Sequence, residues 1–368
     1  MAKKEGQAEE RGAGRWLWFL FSIVVGLPLL ALCGLTLIGP PSPETVAFSI
    51  AVLVTVVGGF LAPWRKNATW GARAGFLLLL AIIGYRFVEA ESSATIREAT
   101  GPVMTEGRWL DRIVPERDVA LGGSNLLLAL GQIHEPGLLD ALRDGYDRMR
   151  RAEGPVPSSV VSTFVLDQTP EDHTVFRISP GGAFDPREGV VLFLHGYIGN
   201  VTLECWQVAQ AANPVGLEVV CPSTEYTGSW ELPAGRAIVE SHIARLRGAG
   251  VERIYLAGLS AGAIGASRLA ATLDIEGLIL ISGASLQANP AHVPTLVLQG
   301  ERDTMTRPGL ARTYVERAGR RARYVSYPDA SHWLILSHHE EVTRELRAWL
   351  AEREGLSVVH DEGSADSP

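Results

Sequence analysis

Residues 253–266 read RIYLAGLSAGAIGA, and the reading of this stretch decides the fold. Its first part, up to Ala257, has the β-rich apolar character of a strand. The part after Ser260 is rich in alanine and glycine, as suits a helix lying close on a sheet. Between them Gly258 and Gly262 flank Ser260. A strand-to-helix turn tight enough to push Ser260 Oγ out of the chain path needs small residues at those flanks, so Gly-x-Ser-x-Gly in this setting is a candidate nucleophile elbow.

A serine hydroxyl is a weak nucleophile at neutral pH. It needs a histidine base, and the histidine needs a carboxylate to fix its tautomer and stabilise the imidazolium. Both lie downstream. Residues 294–300 (PTLVLQG) form a short β-rich run that ends in Glu301-Arg302-Asp303, which puts Asp303 in the loop past a strand. Residues 322–328 form another such run, leading through Asp329 and Ala330 to Ser331-His332-Trp333. Asp329 is a rival third member, but Asp303 stands in the loop after the preceding strand. The chain order is then Ser260, Asp303, His332. Acyl transfer also needs donors for the developing oxyanion. Residues 190–194 (VVLFL) are a continuous apolar run of the kind buried in parallel sheets, ending in His195-Gly196-Tyr197. The backbone N–H groups of Tyr197 and Ala261 are the expected donors.

Together these residues resemble the α/β-hydrolase fold superfamily, most closely its single-domain esterase, dienelactone-hydrolase-like and serine-aminopeptidase-like branches, over residues 158–354. The resemblance implies an α/β fold with a mostly parallel sheet covered by helices on both faces, acyl-enzyme chemistry and no cofactor. It also places His195 in the turn that shapes the oxyanion loop, a structural position. The rest of the region supports the fold separately. Residues 158–166 (SSVVSTFVL) and 173–179 (HTVFRIS) read as two strands of an edge hairpin, and from residue 190 strands and helices alternate, as crossover connections require. Only residues 282–293 separate the run at 278–281 from the next strand, which leaves no room for a cap domain. Cover would come from the loop at 223–231, which carries Tyr226 and Trp230, from upstream helices or from the membrane. Trp206, Trp230 and Trp333, with Tyr197, are the expected apolar wall of a substrate pocket.

The first quarter of the chain meets a different solvent. Residues 16–39, 45–61 and 74–88 are three apolar runs close to the roughly 20 residues that cross a hydrocarbon core. Their interiors carry no charge, with Arg73, Arg86 and Glu89 at their ends, which favours an anchor over a transport pathway. Lys3, Lys4, Arg11 and Arg15 precede the first run and Arg65, Lys66 and Arg73 lie between the second and third, whereas residues 40–44 hold no basic residue. The positive-inside rule then sets the N-terminus in the cytoplasm and the C-terminal region outside.

Of three cysteines, Cys33 falls in a span. Cys205 lies near the start of a helix and Cys221 at the end of the next strand, ends that meet on one face of an α/β sheet. A disulfide between them is expected in an oxidising compartment. His338-His339 lacks the Cys or spaced carboxylate partners of a zinc pattern, and no metal site is expected. A net charge of −8 without a basic stripe gives no reason to expect nucleic acid.

The chain thus divides into a cytoplasmic tail (1–15), a three-helix transmembrane region (16–91), a helical linker or subdomain (92–157), a catalytic domain (158–354) and a polar, disordered tail (355–368). The expected activity is that of a multi-pass, bilayer-anchored serine hydrolase cleaving an ester, thioester or amide, foremost a carboxylesterase acting on small or membrane-derived acyl esters. A peptidase of the same fold and a catalytically silent scaffold are the alternatives.

Overall fold

A computed structural model describes residues 13–38, 41–89, 93–135, 137–166, 168–180 and 189–356. The polar tail expected from residue 355 falls almost wholly outside the described residues, as does most of the N-terminal tail. The chain forms two compact units, one of residues 1–92 and 112–144, the other of residues 93–111 and 145–368.

Among the described residues, the first unit contains three helices long and apolar enough to cross a membrane, Ala13–Ile38, Pro43–Leu61 and Ala68–Glu89. The third is longer than the apolar run that announced it, because helix continues back through Trp70 and Arg73 to Ala68. Helix Pro43–Leu61 starts on a cap in which Ser42 Oγ accepts the Thr45 N–H, with Pro43 in the first turn where no amide donor is needed. Asp118, from helix Glu116–Ala129, accepts from the Ser42 amide at 3.3 Å, from Ser42 Oγ at 2.8 Å and from the Thr45 hydroxyl. The last two of these helices approach through small residues. A Cβ on Gly75 would come within 2.8 Å of the Thr55 amide, and one on Gly58 within 2.9 Å of the Ala68 carbonyl oxygen. Backbones this close gain dense van der Waals contact between the two helices.

The second unit is built on a nine-stranded sheet of order β2-β1-β3-β5-β4-β6-β7-β8-β9. Its strands are β1 Ile96–Gly101, β2 Thr105–Glu106, β3 His173–Ile178, β4 Val190–Leu194, β5 Glu218–Pro222, β6 Ile254–Leu259, β7 Gly277–Ile281, β8 Thr295–Gly300 and β9 Ala322–Tyr327. From β5 to β9 all pairings are parallel, while β2, β1 and β3 add antiparallel strands at one edge. Every residue of β4, β5, β6, β7 and β8 is buried, which is why those strands read as continuous apolar runs. Leu192, Leu194, Val220, Leu256, Leu278 and Val297 form one core cluster with Ile238 and Val239 of helix Pro233–Gly248.

The edge departs from the sequence-based expectation. Residues 158–166 do not form a strand; Val160–Val165 is a short helix. The Asp111 carboxylate accepts both the Ser162 amide, at 3.2 Å, and the Ser162 hydroxyl, and these long-range bonds override the β propensity of the valines and threonine. On its outer side β3 pairs with β1, from a segment expected to be helical, in register from Ile96 opposite Ile178 to Gly101 opposite His173. Within the segment expected to be a helical linker, helices run over Glu116–Ala129 and Leu138–Glu153. The final helix is broken at His338 into Leu334–Ser337 and His339–Arg353.

Candidate active site

β6 delivers Ser260 at its carboxyl end with φ 54° and ψ −116°, a conformation that side chains rarely adopt. The Ser260 amide donates to the Ile281 carbonyl at 2.9 Å, and its own carbonyl accepts from Ile264 at 2.9 Å, so strand and helix clamp the strained residue. The flanking glycines are there for space. A Cβ on Gly262 would overlap the Leu194 carbonyl, and one on Gly258 would overlap the backbone of Gly262.

His332 reaches the serine from the loop after β9. Its Nε2 stands 2.9 Å from Ser260 Oγ and its Nδ1 2.9 Å from Asp303 Oδ2. Asp303 and His332 are both buried. The Asp303 carboxylate is fully engaged: Oδ1 accepts the amides of Met305 (2.9 Å) and Thr306 (2.8 Å), and Oδ2 accepts Gln299 Nε2 (2.9 Å) and Thr306 Oγ1 (2.7 Å) besides the imidazole. Burial alone would raise its pKa, but the hydrogen bond and charge of His332 and the Thr306 donors together hold it below the ordinary carboxylate value. An ionised Asp303 fixes the proton on His332 Nδ1 and turns the Nε2 lone pair toward Ser260 Oγ. Asp329, the rival acid, is exposed and pairs with Arg302 at 2.6 Å.

The turn after β4 lies against Ser260, where a Cβ on Gly196 would be 3.3 Å from Ser260 Cβ. Ala261 opens helix Ala261–Leu269, whose first amides have no partner within the helix. The Ile198 amide is committed to the Tyr226 carbonyl at 2.7 Å. His195 takes no part in the Ser260 chain. Its Nε2 accepts the Thr224 amide at 3.1 Å, its Nδ1 lies 2.7 Å from the Gly196 carbonyl, and burial pushes its pKa down to about 4.

Two of the three tryptophans expected to wall a pocket belong to the framework. Trp206 is buried with Nε1 donating to Glu153 at 3.1 Å. Trp230 is fully buried, donates to the His195 carbonyl at 3.0 Å and lies beneath Gly265. A buried indole spends its N–H on a fixed internal partner, and a sequence does not reveal whether such a partner exists. Trp333 adjoins His332 in the chain, its ring perpendicular to the imidazole with centroids 5.6 Å apart. Gln299 and Thr306 were missed because nothing in their local pattern separates them from any polar residue at a strand end. Cys205 and Cys221 are joined by a disulfide.

No family model and no curated protein matches this chain. Among solved structures, Est1E from Butyrivibrio proteoclasticus with bound ferulic acid is similar over 50% of this chain and 96% of its own, at 15% identity and a TM-score of 0.44. XC6422 from Xanthomonas campestris, described as an a/b serine hydrolase without lid, is similar over 52% of this chain and 94% of its own, at 20% identity and a TM-score of 0.42. An alpha-beta serine hydrolase homologue from Coxiella burnetii matches 49% of this chain and 92% of its own at 20% identity and a TM-score of 0.40. By strand order, by pairing and by the turn that carries Ser260, the second unit of this chain has the α/β-hydrolase fold.

Proposed function

We propose that the chain is a membrane-anchored serine hydrolase, foremost a carboxylesterase acting on acyl esters. The observation that carries this reading is the continuous line from Ser260 Oγ through His332 to Asp303, with both links at 2.9 Å and the serine held at positive φ. Ser260 Oγ attacks the ester carbonyl while His332 Nε2 takes its proton, and Asp303 stabilises the imidazolium that forms. The Tyr197 and Ala261 amides receive the oxyanion. Collapse of the tetrahedral intermediate breaks the ester C–O bond, with His332 returning its proton to the leaving oxygen. Water, activated by the same imidazole, then attacks the acyl-serine and releases the acid.

Anchoring is supported by the three apolar helices, and the excess of Lys and Arg before the first and between the second and third favours, by the positive-inside rule, an extracytoplasmic hydrolase unit. The test is covalent labelling of the full chain, in detergent, by a fluorophosphonate. Labelling that disappears in Ser260→Ala and on heat denaturation is expected, together with hydrolysis of p-nitrophenyl esters in preference to peptide amides. A folded chain that does not label would instead be a scaffold that retains the fold.

A further inference from the structure

We infer that Phe164, Tyr226 and Tyr197 form the binding site for the acyl part of the substrate, so that the preferred ester carries an apolar chain of several carbons. This rests on the hydrolase reading given above. Phe164 and Tyr226 are stacked with ring centroids 6.0 Å apart and planes 30° from parallel, and Tyr197 meets Tyr226 edge-on at 5.9 Å. All three nevertheless face solvent, at 53%, 45% and 56% exposure, with Val165 and Ile198 exposed beside them in sequence. Clustered apolar rings in water are the mark of a surface meant to be covered.

The cluster is built into the site. The turn that carries Tyr197 starts at Gly196, whose missing side chain is what lets it lie against Ser260 Cβ. The Ile198 amide donates to the Tyr226 carbonyl at 2.7 Å, locking the loops after β4 and β5 together. In the latter loop, a Cβ on Gly228 would stand 3.2 Å from Ala261 Cβ. Phe164 sits on the short helix Val160–Val165, and the same turn fixes that helix: Ser159 Oγ donates to the Asn200 carbonyl, and Gly199 accommodates Thr163. Exposed rings on immobilised backbone lose little freedom when a chain settles on them.

Sheet order tells which part of the ester lies there. The cluster is attached to the loops after β4 and β5, whereas His332 follows β9, and β6 with Ser260 stands between, with β7 and β8 on the histidine side. His332 must protonate the leaving oxygen, so the alcohol portion faces the β7 to β9 flank. The acyl portion is directed to the opposite flank, beside the oxyanion amide of Tyr197.

The experiment compares p-nitrophenyl octanoate with p-nitrophenyl acetate on the full chain in one fixed detergent, so that partition into micelles is common to all variants. The octanoate-to-acetate ratio of kcat/KM is expected to exceed one and to fall about tenfold in Phe164→Ser and in Tyr226→Ser, equivalent to about 1.4 kcal/mol. Phe164→Leu, which keeps an apolar surface, should restore most of it, and fluorophosphonate labelling of Ser260 reports that each variant is folded. An unchanged ratio in both serine variants that still label overturns the acyl site alone. So does a loss that follows the alcohol instead, read as a fall in hydrolysis of octyl acetate relative to methyl acetate. Absence of labelling in the unsubstituted chain overturns the hydrolase reading and the acyl site with it.

Discussion

Gln299 Nε2 and His332 Nδ1 stand at 2.9 Å from the same atom, Asp303 Oδ2. The amide of Gln299 also donates to the Thr306 carbonyl at 3.1 Å, so a fully buried side chain on β8 ties the acid to the loop that supplies its other donors. Replacing Gln299 by Met keeps the volume and removes the donor. The fluorophosphonate labelling rate of Ser260 should fall about tenfold, with a stability loss of about 1–3 kcal/mol from the polar groups left unpaired. A labelling rate within twofold of the original would show that the backbone amides of Met305 and Thr306 suffice to hold Asp303.

Two acids lie within reach of His332 in sequence, and their surroundings differ. Asp303 is buried under donors, while Asp329 is exposed with Arg302. Asp303→Asn preserves shape but leaves the imidazole without an acceptor that fixes its tautomer, and kcat for ester hydrolysis should drop about 10⁴-fold. Asp329→Asn should leave kcat within twofold. The reverse ranking in steady-state kinetics would reassign the acid.

What the sequence made legible followed from burial. β4, β6, β7 and β8 are buried along their whole length, so each appears as an apolar run that stops at a glycine or a polar loop, and Ser260 and Asp303 could be placed at strand ends on that basis, whereas β9, which precedes His332, is largely half-buried or exposed. The antiparallel edge was opaque. β1 reads IREATG and buries only Ile96, Ala99 and Gly101, too little for a periodic signal, and it is a strand because β3 needs a partner. Val160–Val165 is helical because of Asp111, far upstream, and no local propensity carries that information. The same limit applies to Trp206 and Trp230, whose hydrophobicity is plain but whose fate depends on where Glu153 and the His195 carbonyl end up.

Stability should fall in mild acid, well before the carboxylates titrate. Burial lowers the pKa of His195 to about 4, and burial, then the charges of His173 and Arg245, lowers that of His242 to about 3, against 6.5 for a free histidine. Both are depressed in the folded chain, so the unfolded chain binds more protons between pH 6.5 and about 4, and stability is lost as pH falls through that window. At pH 5 each group costs about 2 kcal/mol. His242 Nε2 lies 2.9 Å from His173 Nε2, and His173 Nδ1 stands 3.0 Å from the Thr169 carbonyl, an arrangement that leaves His242 as the donor between the rings. His242→Gln keeps a donor without a titrating group and should show a clearly shallower fall of Tm between pH 7.5 and pH 5. An unaltered slope in that variant would place the acid sensitivity elsewhere.

The bond between Cys205 and Cys221 spans a sequence separation of 16 and pins the helix Thr202–Ala212 to the end of β5. A closed loop of that size restricts the unfolded chain by about 3 kcal/mol in the entropy model, so Cys205→Ser should lower Tm measurably. The bond also reports on compartment, because such pairs persist where thiols are not kept reduced. Of three cysteines only Cys33 is free. The full chain, isolated from membranes and denatured without reductant, should therefore take up one alkyl group, and after reduction three. Alkaline phosphatase fused after Pro368 should be active in the same cells. Three alkyl groups without reduction and an inactive fusion would together put the hydrolase unit in the cytoplasm. A single alkyl group with an active fusion would fix it outside, where the disulfide and the positive-inside rule agree.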